Sequence, residues 1–454
     1  MGPPKTLRTI SQEAFDEVVR ENVEDLGMDP TEALQDAIET LTLQGVDLSG
    51  IVRCVPGEGS ARDNPLIQSL ERLKQLDDDS KDKISDQFVD EIVVLFDRIS
   101  ELCGSNQESG NASIALRNGG LELLCSLCYK IPSDCEPAVA SGLKTMVLLL
   151  QDLHSTEIFR NSNGPKIVMD ILNSGKQNVN ILYGGFAVVA AAATANEVVK
   201  EVFMEMNIDE LILQTLSTYR GDCINSLYDA IRVLLTPDDH RVVASQVYGY
   251  ARRFAKIGIA NALVDSLHGG LNSAGLVSAS IALRAVSVND EICKSIAENG
   301  GIDAVLRCID DSGDQGNKTL AGSDANKSAI IEKKGLNKLI KLSSRFSDDP
   351  SVLQEVMAVI SVLTLRSPEN ATQAIEAGAG DLAIQAMQKF PSAQQMQRNS
   401  CNMIRNLVVR NPENRSLLLK SGIEKYIRKA KQNHESCKDA ASDALRDLGL
   451  DNYL

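Results

Sequence analysis

Residues 366–370 read RSPEN and residues 410–414 read RNPEN, the same phrase set 44 residues apart. Widening the window extends the match. VMAVISVLTLRSPENATQAIEAGAGDLAIQAM (356–387) and NSCNMIRNLVVRNPENRSLLLKSGIEKYIRKA (399–430) each run through an apolar helical stretch, a turn holding Pro and Asn, a second helical stretch, a Gly break and a third. Proline lacks the amide hydrogen a helix interior needs, so it ends the first stretch. Asn370 and Asn414 then stand where an N-cap is expected, accepting from the free amides of the next helix. The phrase is helix punctuation.

The template extends upstream. The Gly break or its equivalent falls at Gly120, Gly164, Asn207, Gly258, Gly301, Gly335, Ala379 and Gly422, with spacings of 44, 43, 51, 43, 34, 44 and 43. An Asn near the start of the preceding short helix recurs at Asn111, Asn196, Asn289, Asn326, Asn370 and Asn414. The sharp turn at each break calls for φ > 0, which glycine adopts without strain. A period of about 42–47 residues, with two or three helices per unit, marks a helical repeat array. The expected fold is therefore all-α, a right-handed α-solenoid of about eight units.

The strings ENGGIDAVL (298–306), KSGIEKYI (420–427) and MIRNLVVR (403–410) resemble the armadillo repeat. The segment ISQEAFDEVVRENVEDLGMDPTEALQDAIETLTLQGVDLSGIV (10–52), with LTPDDHRV (235–242) and ALRDLG (444–449), is similar to the armadillo repeat-containing protein 6 family. That likeness runs from about residue 9 to the end. It implies units of a short first helix, a second helix and a longer third, with the third helices lining a concave groove. Armadillo proteins commonly carry an Asn where Asn406 stands. In karyopherin-alpha-type receptors such residues clamp a peptide beside a Trp ladder. This chain has Val233, Ala285, Val362 and Asp447 at the neighbouring equivalents and no Trp at all, which speaks against cargo recognition of that kind.

Two intervals depart from the period. The 51-residue one holds DDHRVVASQVYGYARRFAK (238–256), read as a longer loop or an extended first helix. The 34-residue one follows IDAVLRCI (302–309) with DDSGDQGNKTLAGSDANKSAI, too rich in Gly, Ser, Asp and Asn for a long apolar helix. This unit lacks its third helix, through a kink in the superhelix or a missing coding segment. Its neighbours should expose apolar side chains at about 1.5–3 kcal/mol each. Three regions follow: an acidic helical region and linker (1–62) with helices over 11–25 and 31–43, capping helices (63–103) including 88–102, and the repeat array (104–454). LDDDSKD (76–82) reads as a solvated break. The acidic helices suit a second docking surface or a cover for the groove.

Composition narrows the function. With 62 Asp+Glu against 46 Lys+Arg the net charge is -16, so the positive field that nucleic acid or an anionic membrane requires is missing. No apolar run approaches the ~20 residues of a membrane span and no signal peptide opens the chain. Ten scattered cysteines read as reduced thiols, giving an expected cytoplasmic or nuclear location. The N-x-[ST] sequons are then chance matches. Met-Gly-Pro-Pro-Lys-Thr at the start fits the myristoylation pattern, but Pro3 opposes it.

No phosphate-binding loop, nucleophile elbow or dinucleotide fingerprint occurs, and the four histidines are dispersed. His434-Glu-Ser-Cys437 lacks the second His of a zinc helix, with Lys438 in its place. Cys125-Ser-Leu-Cys128 with Cys135 lacks a fourth ligand, so these read as packed thiols. Neither enzyme activity nor a cofactor is expected. Alignment on the breaks instead places Arg232, Arg284, Ser361, Arg405 and Arg446 at one position of successive third helices, with Asn406 beside them. Guanidinium forks pair with carboxylates and carbonyls of a peptide, or with neighbouring acids of the array itself. The expectation is a monomeric, non-enzymatic scaffold whose groove binds a protein segment. The alternative is an adaptor subunit in nuclear transport or a ubiquitin ligase.

Overall fold

A computed structural model describes residues 8–54, 63–80, 86–104, 110–132, 134–219, 224–237, 244–311 and 324–451. The chain divides into two compact units, Met1–Leu211 with Pro237–Val242, and Ile212–Thr236 with Val243–Leu454.

The first unit opens with β1 (Arg8–Thr9), α1 (Gln12–Glu24), α2 (Pro30–Leu43) and β2 (Val46–Asp47). Ser11 and Asp29 cap the two helices, and Pro30 starts the second at a position where no amide partner is needed. Their facing stripes, Phe15 and Val19 against Ala33, Ala37 and Leu41, close a small core with Leu48 and Ile51. β1 and β2 pair in parallel, Arg8 opposite Val46. Gln12, at the start of α1, ties that helix to Val52 beyond β2. Its side chain donates to Val52 O (2.9 Å) and accepts from Val52 N–H (2.8 Å).

Next come α3 (Pro65–Asp79) and α4 (Asp86–Gly104), then three-helix units: α5 (Asn111–Arg117), α6 (Gly120–Lys130) and α7 (Glu136–Leu149); α8 (Leu153–Asn161), α9 (Gly164–Ser174) and α10 (Val179–Ala193); α11 (Glu197–Glu205) followed by α12 (Ile208–Thr218), whose residues from Ile212 on belong to the second unit. The third helices pack in series, α4 on α7 and α7 on α10. The expected solvated break at 76–82 is corrected in its first half. α3 continues through Asp79, Leu76 is fully buried, and Asp77 accepts from Ser126 Oγ and Lys130 Nζ, both at 2.8 Å. Residues 81 and 82 of that stretch, and the linker residues 55–62, lie outside the described residues.

The second unit holds α13 (Asn225–Leu235); α14 (Ala244–Ile257), α15 (Ile259–His268) and α16 (Ser273–Val286); α17 (Asp290–Glu298) and α18 (Gly301–Asp311); α19 (Asp324–Glu332), α20 (Gly335–Arg345) and α21 (Pro350–Thr364); α22 (Pro368–Ala377), α23 (Ala379–Lys389) and α24 (Gln394–Val408); α25 (Pro412–Lys420), α26 (Ile423–Asn433) and α27 (Lys438–Asp447), the last preceded by a 3-10 turn at Glu435–Cys437. Part of the long 51-residue interval is an extended first helix, since α14 has 14 residues where α11 and α17 have 9; residues 238–243 lie outside the described residues. The units are of armadillo type and the fold is an all-α solenoid.

Among the described residues no third helix separates α18 from α19; residues 312–323, the core of the Gly/Ser/Asp/Asn stretch, lie outside them. Stacking of the shorter helices continues across this point, α17 on α19 and α18 on α20. The third helices pair as α13 with α16, α21 with α24 and α24 with α27, but no pairing of that extent joins α16 to α21. On these helices Ile281 and Val362 are more than a third exposed.

Two details of the turn differ from expectation. The left-handed residues are Gly119, Asn163, Asn207, Gly258, Gly300, Lys334, Gly378 and Gly422, often one residue before the glycine singled out in the sequence. Gly301 and Gly335 are needed for another reason. A Cβ on either would sit 2.6–2.7 Å from the carbonyl oxygen of Ile296 or Ile330, where the first helix crosses the second. The caps also shift. Ser367 and Asn411 cap α22 and α25, while Asn370 and Asn414 lie at the third helical position. Their buried side chains donate backward to Leu363 O and Leu407 O, both at 2.9 Å, satisfying end carbonyls of the preceding third helix. Asn196 and Asn289 are true caps. Asn111 donates to Leu102 O and Asn326, with no described third helix before it, to Cys293 O of α17.

Candidate interaction surface

The long third helices α13, α16, α24 and α27 each carry an arginine in the last turn, Arg232, Arg284, Arg405 and Arg446. A cation there meets the negative end of the helix dipole, so this placement has a local electrostatic cause before any partner is considered.

Beyond that shared position their surroundings differ. Arg232 is 43% exposed, and its Nε lies 3.7 Å from Asp229 Oδ1, a loose pairing one turn back. Arg284 is exposed and forms no ion pair among the described residues. Arg405 reaches the next third helix, 3.2 Å to Asp443 Oδ2 and 3.5 Å to Asp447 Oδ2. Arg446 grips the same two acids from the other side, 3.0 Å to Asp443 Oδ1 and 2.7 Å to Asp447 Oδ1. The four groups form an alternating quartet that ties α24 to α27. Ser361 is buried, its hydroxyl donating to Met357 O at 2.8 Å. Its own main-chain oxygen accepts from Asn406 Nδ2 at 2.8 Å, so Asn406 joins α24 to α21.

Thus the sequence-derived positions fall into three groups: Arg405 with Arg446, Ser361 with Asn406, and the pair Arg232 and Arg284 on adjoining α13 and α16. Several participants were missed. Asp443 and Asp447 flank Arg446 four residues apart in DALRD, a spacing that places them on one helix face. Asn399, about two turns before Asn406, donates to Gln354 O at 2.9 Å. At the helix ends lies a run of apolar side chains, Ile281, Val362, Leu365 and Val409, each 38–43% exposed. A short run of the pattern apolar–arginine, read across units rather than along one helix, is the signal that marks them.

Chemistry elsewhere is quiet. Among the described residues no cluster of three His, Cys, Asp or Glu could hold a metal, and no helix is long and apolar enough to cross a membrane. Cys125 and Cys128 are buried free thiols, and burial pushes Cys125 up to about 12 and Cys128 further. Cys401 is likewise pushed up to about 12 by burial. The acidic α1–α2 region docks within its own unit near α5. Arg117 donates to Ile10 O at 3.1 Å and lies across Gly50, where a Cβ would meet its Cδ at 2.9 Å.

Comparison with known proteins agrees with this architecture. Residues 7–83 match the family model described as the armadillo repeat-containing protein 6 N-terminal domain. Armadillo repeat-containing protein 6 of Homo sapiens is 24% identical over 80% of this chain and 75% of its own length, and that of Pongo abelii 25% identical over the same shares. The Drosophila melanogaster homolog is 23% identical over 82% of this chain and 80% of its own. Among solved structures, a chain from a study of a phosphorylation switch in the cadherin–beta-catenin interaction superposes with a TM-score of 0.57 at 14% identity, covering 97% of this chain and 81% of that one. An engineered protein gives 0.55 at 14% identity, covering 84% and 99%. At such identities the structures speak for the fold alone. Joined to the N-terminal match, the relatives that run through the repeats make the chain similar to armadillo repeat-containing protein 6 over most of its length.

Proposed function

We propose that the protein is a non-enzymatic scaffold that binds a segment of a partner protein along the third helices of its second unit. The observation that carries this reading is the mixed surface at the helix ends. Ile281, Val362, Leu365 and Val409 expose apolar area beside Arg284 and Arg405, on helices whose opposite faces are buried. Rigid helices hold such groups at fixed spacing, and a segment with alternating apolar and acidic side chains meets both.

Within this reading the candidate contacts are unequal. Arg284 offers its whole fork. Arg405 and Arg446 remain partly exposed but already neutralise Asp443 and Asp447, so they contribute less new charge. Asn406 has one amide hydrogen committed to Ser361 O, and Ser361 contributes through that bond rather than through its buried hydroxyl. Arg232 is half-exposed and loosely held. An adaptor role in nuclear transport draws no support from Asn406, whose donor is turned to a neighbouring helix, and a ligase-adaptor role is a special case of the scaffold.

The test is an affinity pull-down comparing the wild-type chain with Arg232→Glu/Arg284→Glu/Arg405→Glu and with Leu365→Asp/Val409→Asp, each first shown to keep its helical circular dichroism. Specific partners lost from both variants support the groove. A partner set unchanged in both rejects it, and residues 8–54 become the surface to vary.

A further inference from the structure

Where a first helix turns into a second, the left-handed residue is Gly or Asn at every described turn but one, where it is Lys334. A β-carbon resists that conformation, and a cation resists the positive end of the helix that Lys334 opens. Lys334 is therefore unfavourable on both counts. Residues kept against local preference mark places where another demand acts.

Lys334 begins a row of cations. Lys338, Lys341 and Arg345 follow at i+4, i+7 and i+11, on one face of α20. The helix with its cap holds no acid, in a chain of net charge -16. Lys334, Lys341 and Arg345 are exposed and Lys338 is half-buried. Lys334 and Lys341 form no ion pair among the described residues. The helix dipole accounts for Arg345, in the last turn, but not for the other three.

The row borders a cleft of about 420 Å³ between α20 and α23. The buried side chains of Leu353, Leu382 and Ala386 give it an apolar base. Asp381, Gln385 and Lys389, one turn apart, line the α23 side. Lys389 Nζ donates to Ser347 O at 3.0 Å and pairs with Asp348, whose side chain is 91% exposed, so an incoming carboxylate can take that place. Arg345 lies 5.5 Å from the Phe346 ring centre and Lys389 5.6 Å from that of Phe390, so each helix ends in a cation held on an aromatic face. Asp381 stands about 12 Å back along α23 from Lys389. The cleft is apolar at its base, cationic at one end and acidic at the other.

We propose that this cleft docks a short acidic segment of a partner protein, with an aliphatic side chain seated between α20 and α23 and carboxylates toward Lys341, Arg345 and Lys389. Apolar contact at the base supplies an anchor, and the cationic rim selects the charge of what flanks it. The site is carried by second helices and goes beyond the third-helix surface proposed above, so either can fail without the other.

The probe is a fluorescein-labelled peptide of two leucines followed by six glutamates, titrated with the full chain in 0.15 M salt, where a Debye length of about 8 Å removes long-range attraction. Fluorescence anisotropy should give saturable binding. Lys341→Glu/Arg345→Glu should weaken it tenfold or more, and so should Ser344→Leu, which fills the cleft from an exposed position. Lys334→Gly should raise the melting temperature while weakening the peptide about threefold, a combination no folding defect can imitate. The third-helix variant Arg232→Glu/Arg284→Glu/Arg405→Glu should bind as the wild type does.

No saturable binding up to about 1 mM overturns the proposal. So does equal affinity for a peptide with glutamine in place of glutamate, or with serine in place of leucine. An affinity that Ser344→Leu and Lys334→Gly both leave unchanged overturns it as well. Loss of binding in the third-helix variant moves the peptide to that surface instead. Concentration-dependent association of the unlabelled chain, abolished by Lys341→Glu/Arg345→Glu, assigns the cleft to an acidic helix of a second copy and rejects the partner segment.

Discussion

The side chain of Asn406 donates to the main-chain oxygen of Ser361 at 2.8 Å, making a strut between two successive third helices. Ser361 O lies in the last turn of α21, where helix carbonyls run out of partners. Asn406→Ala should therefore lower the stability of the second unit by about 1 kcal/mol, the net worth of one hydrogen bond. Urea unfolding followed by circular dichroism measures it. An unchanged midpoint would mean water replaces the amide without loss.

The quartet of Arg405, Arg446, Asp443 and Asp447 should show coupling of modest size. Arg405 is 42% exposed, so solvent screens it and about 0.2–1 kcal/mol is expected from a double-mutant cycle of Arg405→Ala with Asp443→Ala. The coupling should shrink in 1 M salt, because the pair is half in water. Additive single and double variants would show that the geometry carries no net energy.

Glycine and its neighbour should respond in opposite senses at adjoining turns. Gly301→Ala places a methyl 2.4 Å from Ile296 Cγ2 and 2.6 Å from Ile296 O, and a loss of about 1–3 kcal/mol is expected despite alanine's better helix propensity. Lys334, held at φ 62, should gain about 1 kcal/mol on change to Gly, which releases the left-handed strain. Thermal melts of both variants check the pair. A stabilised Gly301→Ala would show that the first helix can retreat from the second.

The buried thiols should resist modification. Cys125 and Cys401 are pushed up to about 12 by burial, so little thiolate exists at pH 8. Iodoacetamide labelling read by peptide mass spectrometry should leave both unmodified while half-exposed Cys54 reacts. Because their folded values lie above the unfolded ones, these thiols stabilise the fold fully below pH about 9. That contribution falls as pH rises toward 12. Denaturation midpoints that stay flat from pH 8 to 10.5 would contradict this.

The period of the array was legible because Pro, Asn and Gly act within a few residues of their own backbone. The run of Gly, Ser, Asp and Asn in the 34-residue interval was legible for the same reason, though its core, residues 312–323, lies outside the described residues. What failed were single-residue assignments. A Gly-Gly pair such as Gly300-Gly301 gives no hint of which member is left-handed and which is crowded by a crossing helix. Asn370 looks like a cap because a cap needs an Asn nearby, yet Ser367 takes that role and Asn370 bonds seven residues back. At the candidate surface, the arginine register could be aligned by eye, but the acids that pair with Arg405 come from the helix beyond. Contacts across units are set by packing, and one unit's sequence does not encode its neighbour's edge.

The break in the third-helix ladder also bears on how the second unit unfolds. A linear array transmits cooperativity only through neighbouring interfaces, and the strength of the weakest sets where it divides. Among the described residues, packing between α16 and α21 runs through the shorter helices, α17 on α19 and α18 on α20. Native-state hydrogen exchange should accordingly resolve two foldons there, one ending at α18 and the other beginning at α19, each opening without the other.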